Sequence, residues 1–159
     1  MFELRHLYNH LFSNFGLNPT TSFNDCLLFM EKLQHSDRTI LIIDDDPDIR
    51  TLMQKVLEKE GYKVETARNK EEALEKLNQT QPLLILLDVL LSGSDGRELC
   101  QYIKNKETTA HIPVIIFSGH PSVNDNKVKT YGADDFIAKP LNTTLLLQKV
   151  EKYFEAQIK

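Results

Sequence analysis

Short strand-like runs alternate with amphipathic, helix-like stretches along most of the chain, and this alternation is the strongest constraint on the fold. The runs are TILII (39–43), YKVETA (62–67), LLILL (83–87), PVIIF (113–117) and DFIA (135–138). A continuous apolar run such as LLILL fits a strand that is covered on both faces, as in a parallel sheet. Because strands that alternate with helices form right-handed crossovers, the sequence predicts an α/β fold with a doubly wound, five-stranded parallel sheet.

Residues with known positional preferences mark the ends of the predicted helices. Pro47 suits the first turn of the first helix, and Asn69 resembles the cap of the second. Asp95 and Asn142 are expected to cap the third and the last helix. We also predict a weakly apolar helix over residues 123–131, between the fourth and fifth strands.

The composition changes near residue 37. Residues 1–37 contain six of the thirteen aromatic residues but only six of the forty-two charged ones, which is too apolar for a flexible linker. Leucine and phenylalanine recur there at helical spacing, so we predict a short N-terminal helical arm over 1–37 and a main domain over 38–159. The alternative is that translation begins at Met30, which opens MEKLQHSDRTILIIDDD and reads as a natural start.

Composition and charge exclude several classes of function. The formal net charge of −4 gives no electrostatic reason to expect nucleic-acid binding. Cys26 and Cys100 lack metal-ligand spacing, no signal peptide is visible, and the apolar runs are too short to span a bilayer. We therefore expect a soluble cytoplasmic protein without direct membrane contact.

Polar residues follow four of the five predicted strands. They are Asp44, Asp45 and Asp46 after the first strand, Asp88 after the third, Ser118 after the fourth and Lys139 after the fifth. Ligands of open parallel sheets bind beyond the carboxyl ends of the strands, so these side chains are expected to converge at one edge. Asp46 is the exception, since an acid beside Pro47 is explained by the start of a helix.

The acidic side chains need a counter-charge. Two carboxylates about 4 Å apart repel by about 1 kcal/mol in water and by about 4 kcal/mol at an effective dielectric of about 20. Mg²⁺ binds one or two carboxylates together with water and phosphate oxygens, so Asp44 or Asp45 with Asp88 fits a magnesium site. An aspartate can also act as a nucleophile and form an acyl phosphate, whose oxygens Lys139 and Ser118 would contact.

With these residues in place, the chain resembles the receiver domain of bacterial two-component response regulators, including the chemotaxis regulators. The matching segments are ILIIDDDPDIR, LLILLDVLLSGSDG, PVIIFSG and DDFIAKP, and the resemblance covers about residues 38–157. It implies a flavodoxin-like sheet with the strand order 2-1-3-4-5.

The resemblance also implies a role for each site residue. Asp88 matches the phosphoacceptor, and Mg²⁺ is held by the side chains of Asp44, Asp45 and Asp88 with the backbone carbonyl of Leu90. Ser118 matches the switch hydroxyl and Lys139 the lysine that pairs with the phosphoryl group. The remaining matches are Gly119 beside the phosphoryl site, Phe136 at the aromatic switch position and Pro140 after a cis peptide bond.

Ser92 and Phe136 are among the positions that depart from the pattern of the family. Ser92 stands where many relatives have proline, which we expect to loosen the loop after the phosphoacceptor. Phe136 lacks the hydroxyl of the commoner tyrosine, so a switch at this position would work by ring packing. Neither change removes a group that the chemistry needs.

The function implied by the resemblance is Mg²⁺-dependent transfer of a phosphoryl group to Asp88. The donor would be a histidine kinase or a histidine phosphotransfer protein, and the result a change in contacts with an unknown protein target or a second copy of the chain. No DNA-binding output domain follows the last helix, so we expect a stand-alone regulator that is a signalling domain and not an enzyme.

Two alternatives stand beside this prediction. An aspartate-nucleophile phosphatase of the haloacid dehalogenase type uses a D-x-D motif, which DDDPD contains, but Asp48 stands where that class has threonine or valine. The chain also leaves no room for a substrate cap. The other alternative is a degenerate receiver that serves only as a docking domain, which the intact set of acidic, hydroxyl and lysine side chains disfavours.

Overall fold

The computed structural model describes residues 38–119 and 128–157, which form a parallel sheet flanked by helices. The strands of the sheet are β1 (Thr39–Ile43), β2 (Lys63–Ala67), β3 (Leu84–Asp88), β4 (Val114–Ser118) and β5 (Asp135–Ala138). Their spatial order is β2-β1-β3-β4-β5, and every neighbouring pair is parallel. The predicted five-stranded, doubly wound sheet with the order 2-1-3-4-5 is therefore confirmed.

Four α-helices lie in the described part of the chain. They are α1 (Pro47–Lys59), α2 (Lys70–Thr80), α3 (Gly96–Asn105) and α4 (Thr143–Gln157). The carboxylates of Asp46 and Asp95 accept hydrogen bonds from backbone N–H groups of the first turns of α1 and α3, and Asn69 does so for α2. These caps satisfy N–H groups that have no partner within the helix. None of the described helices combines the length and the apolar character that crossing a membrane requires.

The core consists of one layer on each face of the sheet. Because successive side chains of a strand point to opposite faces, Leu41 and Ile43 of β1 pack with α2 and α3, whereas Ile40 and Ile42 pack with α1 and α4. All four side chains are fully buried. This coverage of both faces explains why the central strands are continuously apolar, which is the pattern of a parallel sheet.

Three strands, β2, β3 and β4, have ends that differ by one residue from the predicted runs, whereas β1 and β5 match them. Asp88 lies within β3 because it pairs with Phe117 of β4, and Ser118 lies within β4 because it pairs with Ala138 of β5. Tyr62 precedes β2 and packs in the core, where its ring stacks on Phe154 at a centroid distance of 5.3 Å. These shifts arise because register is set by pairing between strands, which a single apolar run does not encode.

Two predictions concern segments that lie wholly or partly outside the described residues. The N-terminal helical arm over 1–37 lies outside the described residues, and so does most of the helix predicted over 123–131. Of that helix, the described end is a short 3-10 turn over Lys129–Tyr131, which Gly132 closes with a φ of 83°. The division into 1–37 and 38–159 remains a prediction.

Candidate functional site

The predicted polar residues meet at the carboxyl edge of the sheet. Asp44 follows β1, Asp88 ends β3, Ser118 ends β4 and Lys139 follows β5. Asp44 and Ser118 are each 1% exposed and Asp88 is 5% exposed, so three polar side chains are buried together at this edge. Buried polar groups are costly unless they are paired, which makes this edge the place where a specific chemical role is expected.

Three carboxylates form the acidic part of the site. One oxygen from each of Asp44, Asp45 and Asp88 lies within 4.8 Å of the others. Carboxylate oxygens are hard ligands of the kind that Mg²⁺ and Ca²⁺ prefer, and a divalent cation would relieve their repulsion. The donor set of this chain therefore fits the predicted metal.

Lys139 provides the positive charge of the site. Its Nζ lies 2.9 Å from Oδ2 of Asp44 and 2.6 Å from Oδ2 of Asp88, and 5.0 Å from the centre of the Phe117 ring. Burial lowers the pKa of Lys139, but its hydrogen bonds with the two carboxylates and their charges outweigh that effect and raise the pKa above its usual value. The ammonium is therefore charged over the physiological range.

Backbone N–H groups hold the other oxygens of the two buried carboxylates. The N–H of Asp46 donates to Oδ1 of Asp44 at 2.9 Å, and the N–H of Leu90 donates to Oδ1 of Asp88 at 3.2 Å. Burial raises the pKa of Asp44 above its ordinary value, against the lowering effect of Lys139. The ionised form of Asp44 is therefore less favourable in this buried site than it is in water.

The predicted switch residues lie around the lysine. The carbonyl of Ser118 accepts a hydrogen bond from the Lys139 N–H at 3.0 Å, and a Cβ added to Gly119 would lie 3.3 Å from Cβ of Lys139. The side chain of Phe136 is half-buried against the core layer of α2 and α3. The peptide bond between Lys139 and Pro140 is cis.

The loop between β3 and α3 completes the site. Leu90–Leu91 pairs antiparallel with Ser94–Asp95, and the Ser92 hydroxyl at the tip donates to Oδ2 of Asp45 at 2.6 Å. A Cβ added to Gly96 would lie 2.0 Å from the Asp88 carbonyl oxygen, so only glycine fits beneath the acidic group.

Sequence reasoning missed three of these contacts. Besides Ser92 and Gly96, it missed Arg50 of α1, whose Nη1 donates to the Asp44 carbonyl oxygen at 2.5 Å. The glycine after Asp95 was a visible signal, because glycine at a helix start often marks a close approach of backbone. The contacts of Ser92 and Arg50 carried no such signal, since each depends on how two separate elements are placed in space.

Comparison with known proteins gives a consistent result. The family model described as the response regulator receiver domain matches residues 40–151. The nitrogen assimilation regulatory protein NtrX of Azorhizobium caulinodans is 41% identical over 119 residues, which cover 73% of this chain and 26% of that protein. A probable cyclic di-GMP phosphodiesterase of Vibrio cholerae is 36% identical over an alignment of 162 positions, gaps included. The alignment covers 95% of this chain and 36% of that protein. Both curated relatives are thus far longer than the segment they share with this chain.

Solved structures agree with the sequence comparisons. The crystal structure of a two-component response regulator from Clostridium difficile superimposes with a TM-score of 0.70 and 32% sequence identity. The match covers 77% of this chain and 99% of that one.

Proposed function

This chain belongs to the response regulator receiver family, and from that premise we propose that it accepts a phosphoryl group on Asp88 in a Mg²⁺-dependent reaction. The observation that carries the proposal is the position of the Asp88 carboxylate, buried among two further acids and 2.6 Å from Nζ of Lys139. A carboxylate in this setting has the charge partners that phosphoryl transfer requires.

The reaction proposed is an in-line transfer from a phosphohistidine of a histidine kinase or phosphotransfer protein. An oxygen of Asp88 attacks the phosphorus, a P–O bond forms and the P–N bond breaks. The electron pair of that bond returns to the donor imidazole, which takes up a proton. The product is an acyl phosphate on Asp88 and a neutral histidine on the donor, so the aspartate acts as a nucleophile in the usual sense.

The side chains around Asp88 have different roles in the proposed phosphoryl transfer. Asp44, Asp45 and Asp88, with the Leu90 carbonyl, would hold Mg²⁺, which supplies neutralisation of charge on the transferring phosphoryl group. Lys139 is already hydrogen-bonded to Asp88, so its ammonium stays beside the oxygens that become the acyl phosphate.

We further propose that phosphorylation changes contacts with other proteins. Ser118 and Lys139 would bind phosphoryl oxygens, and Phe136 would respond by repacking, because its half-buried ring has no hydroxyl to exchange partners. Such a switch works by shifting the population between two conformations. The curated relatives have names that describe different activities, so no particular output follows from the part they share with this chain.

Incubation of the full chain with acetyl phosphate and Mg²⁺, followed by intact mass spectrometry, tests the phosphoacceptor. The wild type is expected to gain one phosphate that is labile in both acid and base, as an acyl phosphate is, and EDTA is expected to prevent the gain. Asp88→Asn should remove it. Asp95→Asn is the matched control, because Asp95 lies in the same loop and caps α3, a role that asparagine also fills.

Three outcomes would contradict the proposal. Equal phosphorylation of Asp88→Asn would place the phosphate elsewhere, and steady release of phosphate from a monoester would favour the phosphatase alternative. Lack of any phosphorylation of the wild type, by acetyl phosphate or by phosphohistidine donors, would favour a receiver that serves only as a docking domain.

A further inference from the structure

The Ser92 hydroxyl connects two loops of the site. It lies at the tip of the β3–α3 loop and donates to Oδ2 of Asp45, which lies 47 positions earlier in the chain and follows β1. The O–O distance of 2.6 Å is that of a strong hydrogen bond to an ionised carboxylate. The contact therefore ties the loop after Asp88 to the acidic pair at the end of β1.

Asp45 differs from the other two acids in how it is held. Asp44 and Asp88 each accept one hydrogen bond from Lys139 and one from a backbone N–H. Among the described residues, the Asp45 carboxylate accepts its one hydrogen bond from Ser92. Asp45 is also less buried than its two partners, so without Ser92 its side chain is free to rotate into solvent.

A carboxylate that is held in place is a better metal ligand than one that rotates. Hydrogen bonds from neighbouring groups orient ligating carboxylates, and their loss typically lowers metal affinity by about 10- to 100-fold. The Ser92 hydroxyl occupies one lone pair of Oδ2, which leaves Oδ1 and the second lone pair of Oδ2 for a cation. The contact is therefore compatible with metal binding.

The turn that carries Ser92 allows its hydroxyl to be tested apart from its backbone. Gly93, at the second central position of this two-residue turn, has a φ of 79°. Turns with a left-handed glycine at the second central position favour proline at the first. Ser92→Pro therefore keeps the shape of the turn and stiffens it, but removes the hydroxyl.

We propose that Ser92 is a positioning residue for the metal site, and that its hydroxyl holds the Asp45 carboxylate in the orientation in which it binds Mg²⁺. This inference rests on the proposed function, since it assumes that Asp44, Asp45 and Asp88 bind Mg²⁺. It assigns to serine at this position a role that proline cannot perform.

Ser94 offers a matched control within the same turn. Its hydroxyl oxygen is buried and has no hydrogen-bond partner among the residues that the structure describes. Ser94→Ala therefore removes a hydroxyl from the loop without touching Asp45. It also relieves a buried polar group that lacks a partner, so the variant is expected to fold at least as well as the wild type.

Titration of the full chain with MgCl₂, followed by amide NMR spectra, measures the affinity directly and reports on folding in the same samples. The dissociation constant for Mg²⁺ is expected to rise about 10-fold in Ser92→Ala and in Ser92→Pro. Ser92→Thr retains the hydroxyl and should bind within a factor of about two of the wild type, as should Ser94→Ala, since neither loses the hydrogen bond to Asp45.

The results separate this inference from the proposed function. If wild-type spectra do not respond to Mg²⁺ at the site, the proposed function itself is wrong. If the wild type binds Mg²⁺ and Ser92→Ala binds it equally well, the positioning role is wrong while the proposed function stands. The positioning role is also wrong if Ser92→Ala binds Mg²⁺ more weakly than the wild type but Ser92→Pro binds it equally well. Mg²⁺ affinity would then depend on the stiffness of the turn and not on the hydroxyl.

Discussion

Strand β5 has a charged cluster at each end, and the two clusters are built in opposite ways. At its start, the single carboxylate of Asp135 pairs with Lys149 and lies 3.5 Å from Lys152. The N–H of Phe136 and the hydroxyl of Tyr153 also donate to it. At its end, the single ammonium of Lys139 serves two buried carboxylates, with a third close by.

The pKa values of the carboxylates of Asp135 and Asp44, at the two ends, shift in opposite directions. Burial raises the pKa of Asp135, but hydrogen bonds from Lys149 and Phe136 and the charges of the two lysines outweigh it, so the pKa lies below its ordinary value. For Asp44 burial prevails, and the pKa lies above its ordinary value. The ionised form is thus stabilised at one end of the strand and costly at the other.

The two clusters differ in their balance of positive and negative groups. The cluster around Asp135 joins β5 to α4 and has two lysines for its one carboxylate. The cluster around Lys139 has one ammonium for three carboxylates, which suits the cation and the phosphoryl group proposed for it. The proposed site thus differs from the structural ion pair in the balance of charge, and its Asp44 side chain is also more deeply buried, at 1% exposed against 12% for Asp135.

Removal of Lys139 should have the largest effect. Lys139→Met is expected to lower the free energy of unfolding by about 3 kcal/mol in Mg²⁺-free buffer, because it leaves two buried carboxylates without their ion pair. Urea denaturation measures the loss. The double variant Lys139→Met/Asp44→Asn should recover much of it, since one charge of the repelling pair is then gone. A single variant as stable as the wild type would show that the carboxylates need no counter-charge.

Asp135 should give the next largest effect, with a distinct dependence on pH. Asp135→Asn is expected to lower the free energy of unfolding by about 2 kcal/mol at pH 7, because charge-assisted hydrogen bonds are lost. Since folding lowers the pKa of Asp135, its contribution is present above the ordinary value of 3.8 and is lost as the pH falls through the folded value. Urea denaturation of variant and wild type should therefore converge at low pH.

For Asp44 we expect the opposite dependence of the free energy of unfolding on pH, measured in the same experiment. Because folding raises its pKa, the contribution of Asp44 is present below 3.8 and is lost as the pH rises through the folded value. Without Mg²⁺, Asp44→Asn should therefore gain stability relative to the wild type as the pH rises toward 7. If the stability of Asp44→Asn relative to the wild type changed with pH in the same direction as that of Asp135→Asn, the proposed difference between the two clusters would be wrong.

Lys152 should give the smallest effect. Its side chain is 68% exposed and its Nζ lies 3.5 Å from Asp135, whereas the side chain of Lys149 is 21% exposed. Lys152→Ala is expected to change the free energy of unfolding by less than about 0.5 kcal/mol, since exposed ion pairs contribute little. Lys149→Met is the comparison, with an expected loss several times larger in the same urea measurement.

Much of the fold and part of the site could be predicted from sequence, for a reason that particular residues make clear. Asn69 and Asp95 cap their helices as predicted, because capping depends on residues only two or three positions apart. Asp44 and Lys139 were expected at one edge because parallel strands all end on the same side. Asp44 and Lys139 lie 95 positions apart in the sequence, yet the parallel topology of the sheet alone implied that they would meet.

Other features could not be predicted, because they depend on register and on distances between loops. The inclusion of Asp88 in β3 follows from its pairing with β4, and the contact between Ser92 and Asp45 follows from the shape of a two-residue turn. The pairing of Asp135 with Lys149 likewise depends on where α4 lies against the sheet. None of these leaves a periodic signal in the sequence.

The sequence by itself determined which strands form, which helices cover them and which polar side chains reach the carboxyl edge, because periodicity and capping are local properties of the chain. Only the tertiary structure decided how charge is shared there. In the folded chain, one lysine forms ion pairs with both Asp44 and Asp88, and two lysines form ion pairs with Asp135. A serine hydroxyl donates a hydrogen bond to Asp45. Charges act through distances in space, and those distances exist only once the strands and loops have been brought together.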